Sequence, residues 1–166
     1  MKRAITALLA MAAIAALIVW VPTGKHAVFT PAVVHAQNGN GGCSLASLSG
    51  PYAVSRQGTL VASVLGLPAP APWGEVARAD FNGAGAFSGT ANVNIGGVAI
   101  SGGVTGTYTV NSDCTGTITV HPNPPFNAIV ITQAIVVTGG GQHYIATDTD
   151  SFTVVQGRGE RLSTEQ

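Results

Sequence analysis

The chain has 166 residues, of which 8% are charged and 46% hydrophobic, and its seven Lys and Arg balance its seven Asp and Glu. No lysine follows Lys25, so there is no basic surface to meet phosphate, which argues against nucleic acid and anionic lipid as partners. Gly, Thr, Val and Ala are abundant while Leu, Glu, Lys and Arg are scarce, a balance that suits pleated strands better than helices.

Lys2 and Arg3 precede 18 uncharged residues, Ala4 to Val21, and Val34-His35-Ala36 has the small-residue pattern read by signal peptidase. Residues 1–36 are therefore expected to be a signal peptide cleaved after Ala36, leaving a secreted or periplasmic chain with no membrane span. The rival is an uncleaved anchor, since eighteen apolar residues just span a bilayer. Five alanines among the first ten positions of the run favour cleavage, as does the 15-residue stretch with Pro, Gly and His before the site. Lipid attachment at Cys43 fits less well, because Asn-Gly-Asn-Gly-Gly precedes it in place of an apolar lipobox. The remaining 130 residues carry four arginines against seven acids, a net charge of −3, and suit one domain.

Residues 37–47 read as a flexible leader, 48–157 as the folded domain and 158–166 as a charged, fraying tail. From Tyr52 the chain alternates, with Val54, Leu60, Ala62 and Val64 on the same parity, predicting a long first strand with a bend at Gly58. The proline-rich run Gly66 to Pro72 reads as a polyproline-like connection. Trp73 to Phe81 is the second strand, closed by the hairpin signal Asn82-Gly83-Ala84-Gly85. Phe87 to Ile95 returns and Gly96-Gly97 turns. Val98 to Val110 follows, with a bulge expected at Gly102-Gly103. Asn111-Ser112-Asp113 turns into Thr115 to His121, and Pro122-Asn123-Pro124-Pro125 breaks that strand. Asn127 to Thr138, the most apolar stretch, reads as covered on both faces. Gly139-Gly140-Gly141 leads into Gln142 to Thr149, and Ser151 to Gln156 closes the fold.

Eight strands with short glycine turns predict an all-β, antiparallel meander that closes into a small barrel, with a β-sandwich as the alternative. Closure also removes exposed strand edges. An outer-membrane barrel fits poorly. Only eight aromatic residues follow the signal segment, too few for two girdles, and the chain ends in Arg-Leu-Ser-Thr-Glu-Gln, which is no apolar terminal strand. Two cysteines in an exported chain point to a Cys43–Cys114 disulfide tying the N-terminus to a hairpin turn, against free thiols or an intermolecular pair.

The run Gly106-Thr107-Tyr108-Thr109-Val110-Asn111-Ser112-Asp113-Cys114-Thr115-Gly116-Thr117 resembles a segment of a set of small exported bacterial proteins of unknown function. Ala79 to Gly85 and Leu48 to Tyr52 resemble two further segments of that set, and the likeness spans about Cys43 to Arg161. The resemblance implies a small barrel of the lipocalin or allene-oxide-cyclase sort. It implies no reaction, because the shared residues are those of turns and cores.

Among chemistry-bearing side chains, His121 and His143 lack metal-ligand spacing and read as exposed loop-end residues. Asp148-x-Asp150 has the spacing of calcium ligands or an acid pair, but Asx turn capping explains it more simply. Arg78 and Asp80 share a parity and Glu75 has the other. Inward-facing Arg78 and Arg56 would clamp a ligand carboxylate, whereas outward ones would make an exposed ion pair. There is no nucleophile elbow, phosphate loop or zinc spacing, and no cofactor or metal is expected.

Three functions remain. The first expectation is a structural or interaction protein of the envelope or exterior, with a filled lumen and another extracellular protein as partner. The alternative is a barrel binding a small apolar ligand among Tyr52, Arg78, Phe81, Phe87 and Tyr108, with room left by Gly89, Ala91, Gly106 and Ala134. The third is a cyclase-like enzyme, which requires Tyr108, Tyr144, Arg78 or Asp80 to converge in a pocket.

Overall fold

The computed structural model describes residues 42–163, so the expected signal segment and its cleavage site lie outside the described residues. Eight strands run β1 Ser49–Leu60, β2 Ala71–Asn82, β3 Ala86–Ile95, β4 Val98–Val110, β5 Thr115–Pro122, β6 Ile131–Thr138, β7 His143–Asp148 and β8 Thr153–Arg161. Each pairs antiparallel with its neighbour in sequence, and β8 returns to pair with β1, closing an eight-stranded barrel. The sandwich does not form, because no strand is left without two neighbours.

Period-two patterning puts one set of side chains in the lumen. On β6, Ile131, Gln133, Ile135 and Val137 are buried while Ala134 and Val136 face outward. This corrects two expectations, that 127–138 is covered on both faces and that Ala134 is an inward small residue. A single closed sheet has no second layer to cover its outside, and the strand begins only at Ile131.

Where strands crowd, glycine sets the fit. A Cβ at Gly106 would overlap the Phe87 ring, and one at Gly159 the Tyr144 ring. The expected bulge at Gly102-Gly103 is absent, for β3 and β4 keep one register through Thr90↔Gly103 and Ala91↔Gly102. Gly103 instead leaves space for the Asn123 side chain, whose backbone N–H donates to the Gly103 carbonyl at 2.9 Å.

The boundaries also differ. β1 ends at Leu60, so Ala62 and Val64, expected on that strand, lie in the loop after it. Ala71 and Pro72 belong to β2, and Pro72, although it lacks a donor, accepts from the Gly96 N–H at 2.9 Å. Residues 158–161, expected in the charged tail, complete β8, with Arg161 paired to Tyr52 across the β1–β8 seam. Residues 42–47 are not a loose leader. Cys43 is disulfide-bonded to Cys114 with Cα atoms 4.9 Å apart, its N–H donates to the Ser112 carbonyl at 3.2 Å, and Leu45–Ser47 forms a 3-10 turn.

This segment caps one end of the barrel, where the β2–β3, β4–β5 and β6–β7 turns also lie. Leu48 is fully buried there, and the Tyr108 hydroxyl donates to the Leu48 carbonyl at 2.8 Å, with the Leu45 carbonyl 3.1 Å away. The disulfide closes a span of 71 residues, for which chain entropy gives about 4 kcal/mol. Replacing both cysteines by serine should lower unfolding free energy by an amount of that order. Thiol titration of the denatured, unreduced protein should find no free thiol, whereas two per chain would refute the bridge.

Candidate functional site

Three layers fill the lumen from the capped end to the opposite, open end. The first is a solid aromatic plug. The Phe81 ring centre lies 5.2 Å from that of Tyr52, 5.2 Å from Phe87, 5.1 Å from Tyr108 and 6.0 Å from Tyr144, mostly edge to face. The Tyr52 hydroxyl donates to the Gly141 carbonyl, and the Arg161 guanidinium lies 5.6 Å over the Tyr52 ring.

The second layer is ionic. Arg56 on β1 is 5% exposed, and Gly157 on β8, where a Cβ would collide with its stem, leaves it room. Its Nη1 donates to Glu75 Oε2 at 2.9 Å and its Nη2 to Asp148 Oδ1. Glu75 stands opposite Arg56 in the β1–β2 register, and the Trp73 indole N–H also reaches Glu75 Oε2 at 3.3 Å. Gln133, with its carbonyl oxygen turned to the guanidinium, accepts from both Nη at 3.1 and 3.2 Å.

Thr153 Oγ1 lies 2.8 Å from Asp148 Oδ2 and 2.7 Å from Asp150 Oδ1. A hydroxyl has one proton, so it can donate to only one of these oxygens. A proton held on Asp148 satisfies the other contact. The electrostatics agree in direction: burial, chiefly, pushes the Asp148 carboxyl above its ordinary 3.8, while Arg56 and Thr153 pull it back. Burial likewise raises the Tyr144 phenol, which stays neutral.

The third layer is a cup of about 90 Å³ at the open end, where Arg56 and Glu75 border an otherwise largely apolar wall. Trp73, Val93, Ile95, Ile100 and Ile131 contribute from strands, and Phe126, Ile129 and Phe152 from the loops. Those loops hold themselves in place. Phe126 N–H donates to the Asn123 carbonyl at 3.1 Å, Ile129 N–H to that of Phe126 at 3.0 Å, and Leu67 N–H to that of Val64 at 2.8 Å.

The residues expected to line a ligand site lie elsewhere. Tyr52, Phe81, Phe87 and Tyr108 sit in the plug, and of these only Phe81 and Phe87 border a void, one of about 40 Å³ between the plug and the ion layer. Arg78 points outward with its side chain 60% exposed, paired with Asp80 at 3.1 Å, so the two-arginine carboxylate clamp does not exist. Tyr108, Tyr144, Arg78 and Asp80 therefore do not converge in one pocket. His121 and His143 are exposed. Asp150 makes the anticipated turn cap, accepting from the N–H groups of Phe152 at 3.2 Å and Thr153 at 2.9 Å, but Asp148 belongs to the ion layer. Among the described residues no three His, Cys, Asp or Glu side chains come together as a metal site.

No protein-family model matches the chain, and neither a curated protein nor a solved structure matches it.

The ion layer has a consequence for pH. The folded chain holds the Asp148 proton more tightly than the unfolded chain does. This group's contribution to stability is therefore full below 3.8 and is lost as pH rises through the raised value. Asp148→Asn lacks that titration. In urea unfolding at a series of pH values, the variant should gain on the wild type from pH 3.8 upward, whereas a difference independent of pH would contradict the assignment.

Proposed function

We propose that the protein is exported and that its barrel is a small-ligand-binding module whose site is the cup at the open end. The observation that carries this reading is the composition of the cup, an apolar wall ending on a buried charged layer. Such a pocket orients an apolar molecule by a few polar groups at its base. The enclosed 90 Å³ is well below the roughly 300–1,000 Å³ of drug-sized sites, so the ligand is small, a head group with a few carbons. Export is supported by the charged start and apolar run of the N-terminal segment and by the Cys43–Cys114 disulfide, which belongs to an oxidising compartment. No helix among the described residues is long and apolar enough to cross a membrane.

A second reading, an interaction protein of the envelope or exterior, is favoured by the rim. Val61, Leu65, Val98 and Val130 stand 43–49% exposed on or beside the loops of the open end. In that case the apolar rim meets a partner protein and the cup stays empty.

Trp73 lies in the cup wall and is the only tryptophan beyond Trp20. Titration with n-butanol should shift its fluorescence saturably. Val93→Phe, which fills the cup from its wall, should abolish that shift while leaving the unfolding midpoint within a few degrees. Native mass spectrometry of protein purified from its own host should show a retained small molecule. Absence of both a saturable Trp73 response and a retained molecule would favour the interaction reading.

A further inference from the structure

The charges at the base of the cup select the ligand's sign. Arg56 is the only cation there, and both of its Nη atoms are already engaged by Glu75, Asp148 and Gln133. It has no terminal nitrogen to offer a ligand carboxylate. Beside it stand two carboxyl groups, Glu75 and Asp148. Glu75 has a side chain only 10% exposed and borders the cup, yet it uses Oε2 for both Arg56 and Trp73, and no hydrogen bond reaches its Oε1 among the described residues. A carboxylate oxygen that lacks a hydrogen-bond partner at the edge of an apolar cup attracts a donor that carries positive charge. The wall agrees, since Phe126 and Phe152 also line this space and aromatic faces favour cations, while the Trp73 ring already carries the Arg56 guanidinium at 5.9 Å. A bare metal ion is not served, because the described residues bring no three metal-ligating side chains together.

We propose that the cup takes a small organic cation, an ammonium with a short apolar tail, its head donating to Glu75 Oε1 and its tail lying along Val93, Ile95, Ile100 and Ile129. The assignment rests on the ligand-binding reading above and adds to it the charge of the ligand.

The experiment compares n-butylammonium, n-butanol and butyrate, which share a tail length and differ in head charge. Binding to the purified protein is followed by chemical shifts of the Trp73 indole N–H and the Glu75 amide. Butylammonium should bind at least about tenfold more tightly than butanol, the equivalent of one charge-assisted hydrogen bond, and butyrate should not bind. Glu75→Gln should reduce butylammonium to the affinity of butanol and leave butanol unchanged. Equal affinities of butylammonium and butanol for the wild type, or tighter binding of butyrate, would overturn the cation assignment while leaving the cup as a site. Binding of none of the three would overturn both readings. Should Glu75→Gln fail to fold, the three-ligand comparison on the wild type decides alone.

Discussion

A single buried guanidinium organises this barrel. Arg56 stands at mid-height in a lumen that is otherwise almost wholly apolar, and withdrawing its charge from water costs several kcal/mol unless partners surround it. Glu75, Asp148 and Gln133 are those partners, contributed by three other strands. Removing one side of such a buried pair typically costs about 3–5 kcal/mol, because the other charges are then stranded. The register of β1 against β2 is thereby pinned by chemistry as well as by packing, since Arg56 and Glu75 are directly opposed. The layer also partitions the interior, with dense aromatic packing on one side and an incompletely filled apolar space on the other.

The two ends of the barrel differ for reasons that trace to their loops. At the capped end the connections are short glycine and Asx turns, and the Cys43–Cys114 bridge draws the segment before β1 across the opening. Leu48, whose carbonyl accepts from Tyr108, comes from that segment, so the cap and the aromatic plug form one packed unit. At the other end the loops after β1 and β5 are long and rich in proline, and they arch over the lumen without filling it. Proline cannot continue a ladder, so these segments leave the sheet where a strand would otherwise have narrowed the mouth. Charge at the base and room at the mouth together make this end the place where a ligand can be recognised.

Much of the fold was legible in the sequence because a barrel with one buried face writes a period-two pattern. Tyr52, Val54 and Leu60, and likewise Phe81 and Phe87, lie on the parities expected to face inward. The errors came where the pattern is silent. Ala134 sits in an apolar run whose two faces look alike in composition, and only the burial of Gln133 beside it shows which face is inside. The end of β8 looked like a charged tail because Arg158, Glu160 and Arg161 are polar. Yet Arg158 and Glu160 point outward, where charge is harmless, and Arg161 covers Tyr52. The site was half legible. Arg56 shares the inward parity of Tyr52 and Leu60, and Glu75 that of Trp73 and Phe81, which marks both as lumen charges. Asp148 was not legible, because its meeting with Arg56 depends on the closure of β8 onto β1, a contact between distant parts of the chain. The aromatic residues misled for a related reason. Large rings suit a ligand wall and a solid plug equally well, and the difference lies in whether glycines such as Gly106 and Gly159 let them close on one another.

Arg56 and its partners divide a solid half of the lumen from an accessible half. Xenon enters unfilled apolar space and avoids close-packed cores, so a xenon-pressure series read by methyl chemical shifts tests the division directly. Shifts are expected at Val93, Ile95, Ile100, Ile129 and Ile131, with none at Leu48, Ile135 or Val137. Shifts at the second group, or an even response across both, would show that the two halves are packed alike and would contradict the account.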